Sequence, residues 1–171
     1  FGIGTCLADD MGLGKTIQLI ALLQHERSET PDAVGQTLLI VPTSVVANWE
    51  REIDKFSPEL KVHIHHGPDR PLGEEFNKAI AECDVVITTY GLVHRDRETL
   101  RPITWHRICL DEAQYIKNPP TKQAQSIRAL NAWHRIALTG TPVENRLIEL
   151  WSIMEFLNPG YLGPAAKFRR S

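Results

Sequence analysis

One stretch decides how this chain folds: Ala8-Asp9-Asp10-Met11-Gly12-Leu13-Gly14-Lys15-Thr16. A short apolar run, Ile3 to Leu7, precedes it, and an amphipathic run from Thr16 to about Arg27 follows it. Glycine lets the backbone approach an anion closely, and the N–H groups at the start of a helix point at that anion. The order of strand, glycine-containing loop and helix therefore predicts a phosphate-binding loop.

The loop also predicts which groups bind the phosphates. Lys15 is placed to reach the β and γ oxygens of a triphosphate, and Thr16 to offer its hydroxyl to Mg²⁺. The predicted nucleotide-binding residues are Asp10, Met11, Gly12, Leu13, Gly14, Lys15 and Thr16. The match to G-x-x-x-x-G-K-[ST] is incomplete, because Asp9 stands where the first glycine would fall. Since an ordinary turn before a helix can have this sequence, the prediction depends on the rest of the chain.

Composition limits the classes of protein that fit. The 171 residues are 42% hydrophobic and 23% charged, which is typical of one globular domain. No apolar run approaches the roughly 18 to 20 residues of a membrane helix, so no membrane partner and a cytoplasmic location are expected. The net charge of −2 neither favours nor excludes nucleic acid. Each of Cys6, Cys83 and Cys109 lies in or beside an apolar run, which predicts buried, reduced thiols.

Apolar, β-branched runs alternate with helix-period runs along the chain. Strands are predicted at 3–7, 37–41, 61–65, 84–88, 107–110 and 135–138, and helices at 16–27, 44–56, 74–82, 121–130 and 143–157. This alternation predicts an α/β fold with a parallel sheet and helices on both faces. Ligands of such sheets bind beyond the carboxyl ends of the strands. Five polar clusters follow predicted strands and should meet there: Asp9–Thr16, Pro42–Ser44, Thr88–Tyr90, Asp111–Gln114 and Thr139–Thr141.

An acidic pair follows the strand that ends at Leu110. Mg²⁺ prefers oxygen ligands and usually takes one or two protein carboxylates, so Asp111 suits the metal. Glu112 suits the attacking water, as a general base or as a group that orients it. The pair could also be two ordinary turn residues, but its combination with Lys15 and Thr16 favours a nucleotide site.

Taken together, these motifs resemble the helicase-like ATPases of superfamily two. The finer pattern is similar to the Swi/Snf family of double-stranded-DNA translocases, and most similar to its bacterial and archaeal branch. The blocks that carry the resemblance, in chain order, are Leu7–Thr16, Leu39–Ser44 with Trp49, Thr88–Tyr90, Asp111–Pro119, Leu138–Asn145, Glu149–Ser152 and Phe156–Gly160. Asp9 in place of glycine is normal for that family.

The resemblance implies a three-layer, RecA-like lobe of a P-loop NTPase, with ATP and Mg²⁺ as cofactors and duplex DNA as a partner. It implies that Lys15, Asp111, Glu112 and Gln114 are catalytic. It also implies that Gln114 and the turn Thr139-Gly140-Thr141 couple the γ-phosphate to the DNA side. The implied DNA-backbone contacts are Pro42, Thr43, Ser44, Thr88 and Thr89. Thr43 and Ser44 could instead cap a helix, and Thr88 and Thr89 could merely end a strand.

The resemblance covers only the first of two lobes. Residues 1–171 are expected to form an N-terminal ATP-binding lobe truncated at its start, without the second lobe and its arginine finger. The isolated chain is then expected to bind nucleotide weakly through its phosphates and to hydrolyse little. Two alternatives stay open: a lobe of a strand-separating helicase, or a catalytically inactive fragment that acts only as a binding module. The implied partners of the full protein include the second lobe and DNA-bound proteins, and its implied location is the nucleoid.

Several further residues have more than one interpretation. His63, His65 and His66 suggest a metal site, but surface histidines are the favoured interpretation, since no further ligands lie nearby in sequence. Trp49 and Trp151 are predicted to be core residues. Lys117 is either a solvated loop charge or a phosphate contact.

Overall fold

The computed structural model describes residues 3–9, 14–30, 34–140 and 147–168. Within them, six strands form one sheet in the order β1-β6-β5-β2-β4-β3, and every neighbouring pair is parallel. The strands are β1 Thr5–Ala8, β2 Thr37–Val41, β3 Val62–Ile64, β4 Val85–Thr89, β5 Thr104–Leu110 and β6 Asn131–Thr139. The predicted parallel sheet is therefore confirmed.

Helices cover both faces of the sheet. They are α1 Lys15–Glu29, α2 Val46–Phe56, α3 Gly73–Ile80, α4 Tyr90–Arg95, α5 Arg97–Leu100, α6 Lys122–Arg128, α7 Leu147–Leu157 and α8 Ala165–Phe168, with 3-10 turns at Thr43–Val45 and Ala113–Ile116. Among the described residues, none of the helices combines the length and the apolar character needed to cross a bilayer.

The alternation of side chains along β2 explains the three layers. Leu38 and Ile40 face a core that α3, α4, α6 and α7 cover, whereas Leu39 and Val41 face a second core under α1 and α2. All four side chains are completely buried. A parallel strand buried on both faces has an uninterrupted apolar sequence, which is why the run 37–41 shows no polar alternation.

The strand order determines which loops meet at the carboxyl edge of the sheet. Strand β6 lies between β1 and β5, so the glycine-containing loop and the acidic pair are separated by one strand, or roughly 10 Å between strand axes. Because all strands are parallel, the described parts of the five polar clusters follow strands that end at this edge, as predicted.

Strand β4 ends at Thr89, and Tyr90, whose side chain is buried, begins α4. Two details of the predicted helices are wrong. The helical spacing of apolar residues over 44–56 predicts Phe56 on the apolar face of α2, but its side chain is 45% exposed at the end of that helix. The same spacing predicts Leu147 on the apolar face of α7, but Leu147 is 62% exposed, whereas Ile153 and Phe156 are buried. Helix α7 is apolar on more than one side, so its packing partners rather than its own pattern decide which side is buried.

The cysteine prediction is correct for one residue and wrong for another. Cys109, in the central strand β5, is buried, and Cys83 is half-buried. Cys6 is exposed, because β1 lies at the edge of the described sheet and most of its side chains are accessible.

The interpretation of the three histidines as surface residues is wrong for His65. Its ring is fully buried, and Nε2 lies 2.9 Å from Oδ2 of Asp96. Arg70 donates to the same carboxylate through Nε at 2.6 Å and Nη2 at 2.7 Å. No cluster of three or more potential metal ligands occurs in the described part of the chain. The cluster of His65, Arg70 and Asp96 instead joins the loop after β3 to the end of α4.

This cluster predicts a loss of stability in mild acid. Burial lowers the pKa of His65 despite the opposing effect of Asp96, and its Nδ1 has no hydrogen-bond partner among the described residues. The unfolded chain therefore binds more protons just below the ordinary histidine pKa of about 6.5, and the free energy of unfolding falls as pH decreases through that range. One such group contributes a slope of at most about 1.4 kcal/mol per pH unit.

Urea denaturation between pH 8 and pH 5 measures that slope. His65→Gln is expected to flatten it, whereas His66→Gln, at an exposed neighbouring position, should leave it as in the wild type. Equal slopes in all three proteins would contradict the assignment. A second decline is expected below about pH 4, because the hydrogen bonds from Arg70 and His65 outweigh burial and hold the pKa of Asp96 below its ordinary value.

Candidate nucleotide site

The glycine-containing loop leads into α1 through a left-handed residue. Gly14 has φ 80° and ψ 27°, and Lys15 is the first residue of the helix. A side chain at Gly14 would cost roughly 1–2 kcal/mol because a Cβ is disfavoured in this conformation. The Lys15 ammonium donates to the carbonyl of Asp9 at 2.6 Å, so it points back toward the end of β1. The predicted phosphate-binding residues Asp10, Met11, Gly12 and Leu13 lie outside the described residues.

A cleft of about 370 Å³ opens at the start of α1. Its lining includes Gly14, Lys15, Thr16 and Ile17 from the α1 side, Val45, Asn48, Trp49 and Glu52 from the α2 side, and Asp111 and Glu112 from the end of β5. The structure therefore brings four residues with predicted roles, Lys15, Thr16, Asp111 and Glu112, to one cavity. Their catalytic and metal-binding roles stay predictions.

A larger hollow of about 540 Å³ lies near the amino ends of the strands, at the opposite edge of the sheet. Its lining includes Arg27, Asp84, His106 and Trp133, and it holds none of the predicted nucleotide-binding residues. Size alone therefore does not identify the site, and the chemistry of the lining favours the smaller cleft.

Hydrogen bonds fix the position of Asp111. Its Oδ2 accepts from the indole Nε1 of Trp49 at 2.8 Å, and its Oδ1 accepts from the backbone N–H of Glu112 at 3.0 Å. The buried hydroxyl of Tyr90 donates to the Asp111 carbonyl at 2.5 Å. Burial raises the pKa of the Asp111 carboxyl, while the Trp49 hydrogen bond and the charge of Lys15 act in the opposite direction.

Glu112 has an unusual backbone conformation. Its φ of 52° and ψ of 57° lie in the left-handed region, and among the described residues it is the one non-glycine residue with a positive φ. Such a conformation costs on the order of 1–3 kcal/mol and is common at functional sites. Asp111 stabilises it by accepting from the Glu112 N–H. Glu112 lines the cleft beside Asp111.

Gln114 connects the acidic pair to the neighbouring strand. Its Nε2 donates to Oε2 of Glu112 at 2.6 Å, and its Oε1 accepts from Oγ1 of Thr139 at 2.9 Å. Thr139 ends β6, the strand between β5 and β1. A continuous hydrogen-bonded chain therefore runs from the carboxylate of Glu112 to the turn after β6. Gly140 follows as a half-buried residue, and Thr141 lies outside the described residues.

The five predicted DNA-contact residues differ in exposure. Thr43 and Ser44 are exposed in the 3-10 turn before α2, whereas Pro42, Thr88 and Thr89 are buried. The Thr88 hydroxyl donates to the carbonyl of His65 at 3.2 Å and so points into the protein. In the described structure, no side chain caps the 3-10 turn or α2, which argues against the alternative that Thr43 or Ser44 serves as a cap.

Sequence reasoning missed two residues of this site. The sequence predicts Trp49 as a core residue alone and gives Tyr90 no role of its own within its polar cluster, yet both side chains contact Asp111. A signal existed for each, because a buried Trp or Tyr usually needs a partner for its N–H or O–H. The sequence could not say which acceptor each would reach.

The groups around the cleft fit Mg²⁺. The hydroxyl of Thr16 and the carboxylate of Asp111 are the oxygen ligands that this ion prefers. The raised pKa of Asp111 means that burial leaves its charge poorly solvated, and a cation bound there would compensate.

Comparisons with known proteins agree with this geometry. The chain is 54% identical over 173 aligned residues to "Putative ATP-dependent helicase/translocase YwqA" of Bacillus subtilis, covering 99% of this chain and 18% of that protein. It is 46% identical to "Helicase swr1" of Schizosaccharomyces pombe over 90% of this chain and 12% of that protein. The chain therefore spans less than a fifth of the length of these relatives.

Solved structures agree as well. The Sulfolobus solfataricus SWI2/SNF2 ATPase core in complex with double-stranded DNA matches with a TM-score of 0.86 and 45% identity, over 99% of this chain and 34% of that one. The Sulfolobus solfataricus SWI2/SNF2 ATPase core domain matches with a TM-score of 0.83 and 45% identity, over 99% of this chain and 33% of that one. The fold is thus the RecA-like lobe expected from the resemblance. The sequence profile of the SNF2-related domain matches residues 2–171. The chain belongs to the SNF2-related domain family.

Proposed function

We propose that this chain is the ATP-binding lobe of a DNA-dependent ATPase that moves along double-stranded DNA and remodels protein–DNA complexes. One observation carries the proposal: Lys15, Asp111 and Glu112 line the same cleft at the start of α1. Hydrolysis of a nucleoside triphosphate requires a cation that binds the phosphates, a carboxylate that binds the metal ion and a carboxylate that activates or orients water.

In this proposal, each group of the cleft has a separate task. Lys15 leaves its contact with the Asp9 carbonyl and binds phosphate oxygens, together with the N–H groups at the start of α1. Thr16 and Asp111 hold Mg²⁺, which when bound neutralises charge on the phosphates. Glu112 accepts a proton from the attacking water or orients that water.

The chain of hydrogen bonds through Gln114 supports a coupling role. Gln114 joins Glu112 to Thr139 by hydrogen bonds. A shift of Glu112 on hydrolysis would therefore displace Gln114 and change its hydrogen bond to Thr139, the first residue of the turn Thr139-Gly140-Thr141. We propose that this turn transmits the state of the nucleotide to the DNA side of the lobe and to a second RecA-like lobe of the same motor.

Contact with DNA is proposed at the exposed 3-10 turn. The hydroxyls of Thr43 and Ser44 stand at the carboxyl edge of the sheet, and hydroxyls are ordinary donors to phosphate oxygens. Such contacts carry no base information, so binding without strong sequence preference is expected. Thr88 and Thr89 are buried, so we propose that they support the DNA-binding surface from below and do not contact phosphates through exposed hydroxyls. Such a motor would work at the nucleoid of a bacterial or archaeal cell.

The experiment measures ATP turnover by the full-length protein that contains this lobe, without DNA, with single strands and with duplex. The proposal expects turnover that duplex DNA stimulates, with displacement of a bound third strand but no separation of the duplex. Strand separation would favour a helicase of the same superfamily instead. Absence of turnover under all three conditions would favour an inactive binding module.

A further inference from the structure

Trp49 contributes more to the cleft than core packing. Its side chain is 1% exposed and belongs to the core under α1 and α2, and its Nε1–H donates to Oδ2 of Asp111 at 2.8 Å. An indole offers one donor and no acceptor. A ring that packing holds in place therefore presents its N–H to one point, and in this protein that point is a carboxylate oxygen.

The carboxylate of Asp111 needs such a partner to keep one orientation. The terminal torsion of an aspartate is soft and has broad minima, so packing alone does not define where the two oxygens point. Trp49 holds Oδ2 from the α2 side, and the N–H of Glu112 holds Oδ1 from the backbone at 3.0 Å. Each oxygen of the Asp111 carboxylate thus accepts one of these two hydrogen bonds, and its remaining lone pair is available to bind a ligand in the cleft.

We propose that Trp49 is a positioning residue for Mg²⁺: its indole N–H fixes the Asp111 carboxylate in the orientation that binds the ion. This inference rests on the proposed function, because it assumes that Asp111 is a metal ligand. Loss of a partner that orients a metal-binding side chain typically weakens metal affinity by about 10- to 100-fold. The same loss is expected for the ion that accompanies the nucleotide here.

Two other tryptophans supply matched controls. Trp105 is completely buried, and within the described structure its Nε1 has no hydrogen-bond partner, so Trp105→Phe removes the same atoms without removing a hydrogen bond. Trp151 donates to the carbonyl of Gly163 at 2.9 Å, so Trp151→Phe removes an indole hydrogen bond that lies outside the cleft. Neither residue lines the cleft.

The experiment titrates Mg²⁺ into the full-length protein with ATP and follows nucleotide affinity by calorimetry, with a parallel measurement in EDTA. Trp49→Phe is expected to raise the Mg²⁺ concentration at half-maximal affinity by about 10-fold and to leave the Kd in EDTA unchanged. Trp105→Phe and Trp151→Phe are expected to change neither value. A metal-independent change would mean that Trp49 only packs the core, and would overturn the inference.

The outcome remains decisive if Trp49→Phe does not fold. Benzothienylalanine at position 49 keeps the bicyclic shape and replaces the N–H by sulfur, so it removes the donor alone. Wild-type Mg²⁺ dependence in that variant would overturn the positioning role while leaving the proposed function intact. If instead the wild type gains no affinity from Mg²⁺ and Lys15→Ala binds ATP as tightly, the proposed function itself fails.

Discussion

Replacing Lys15 with alanine is expected to lower ATP turnover of the full-length protein by at least about 100-fold, the size of effect seen when one charge-stabilising group is removed from an active site. The reason is electrostatic. Lys15 is the lysine that begins α1 and lines the cleft, and its ammonium would neutralise charge that develops on the phosphates. The variant is also expected to lose affinity for ATP, because the same contact exists in the bound ground state.

The fold should survive this change. Lys15 is half-buried at an open cleft and lies outside both hydrophobic cores, so its replacement removes the hydrogen bond to Asp9 and should change the free energy of unfolding by no more than about 1.5 kcal/mol. Lys78→Ala, at an exposed position of α3, is the matched control and should turn over ATP as the wild type does. Equal rates for the Lys15 and Lys78 variants would contradict the assignment of the phosphate-binding loop.

The parts of the fold that the sequence predicts well have strong periodic signals. Residues 37–41 form an uninterrupted apolar run between polar segments, and the structure has β2 there with the predicted bounds. The convergence of Lys15 and Asp111 on one cleft also follows from the sequence, because a parallel sheet brings all carboxyl strand ends to one edge. In both cases, the local sequence pattern and the strand order of the sheet lead to the same structure.

Partners that are distant in sequence could not be predicted. The acceptor of the Trp49 indole lies 62 residues along the chain, and the packing of α2 on the sheet brings the two together. The sequence predicts His65 as a surface histidine, because its partners Arg70 and Asp96 lie in connecting segments without a periodic signal. Cys6 is exposed because of the place of β1 in the strand order, which the apolar run itself does not encode.

Replacing Glu112 with glutamine is expected to separate binding from hydrolysis. A general base contributes about 10²- to 10⁴-fold to a rate, so kcat of the full-length protein should fall by that factor. Affinity for ATP with Mg²⁺ should remain close to that of the wild type, because the phosphate-binding groups of α1 and the metal carboxylate Asp111 are unchanged. A rapid-quench measurement of one turnover, beside calorimetric binding of ATP, gives both values.

The geometry around Glu112 makes this substitution a clean test. Glutamine keeps an oxygen that accepts from Nε2 of Gln114, so the hydrogen-bonded chain to Thr139 persists. The left-handed backbone of residue 112 is as strained with glutamine as with glutamate, so the substitution does not change the backbone strain of the folded state. Glu59→Gln, at an exposed position after α2, controls for the lost charge. Undiminished turnover in Glu112→Gln would remove this carboxylate from the chemistry, whereas loss of both turnover and binding would make it a ligand of the nucleotide or its metal.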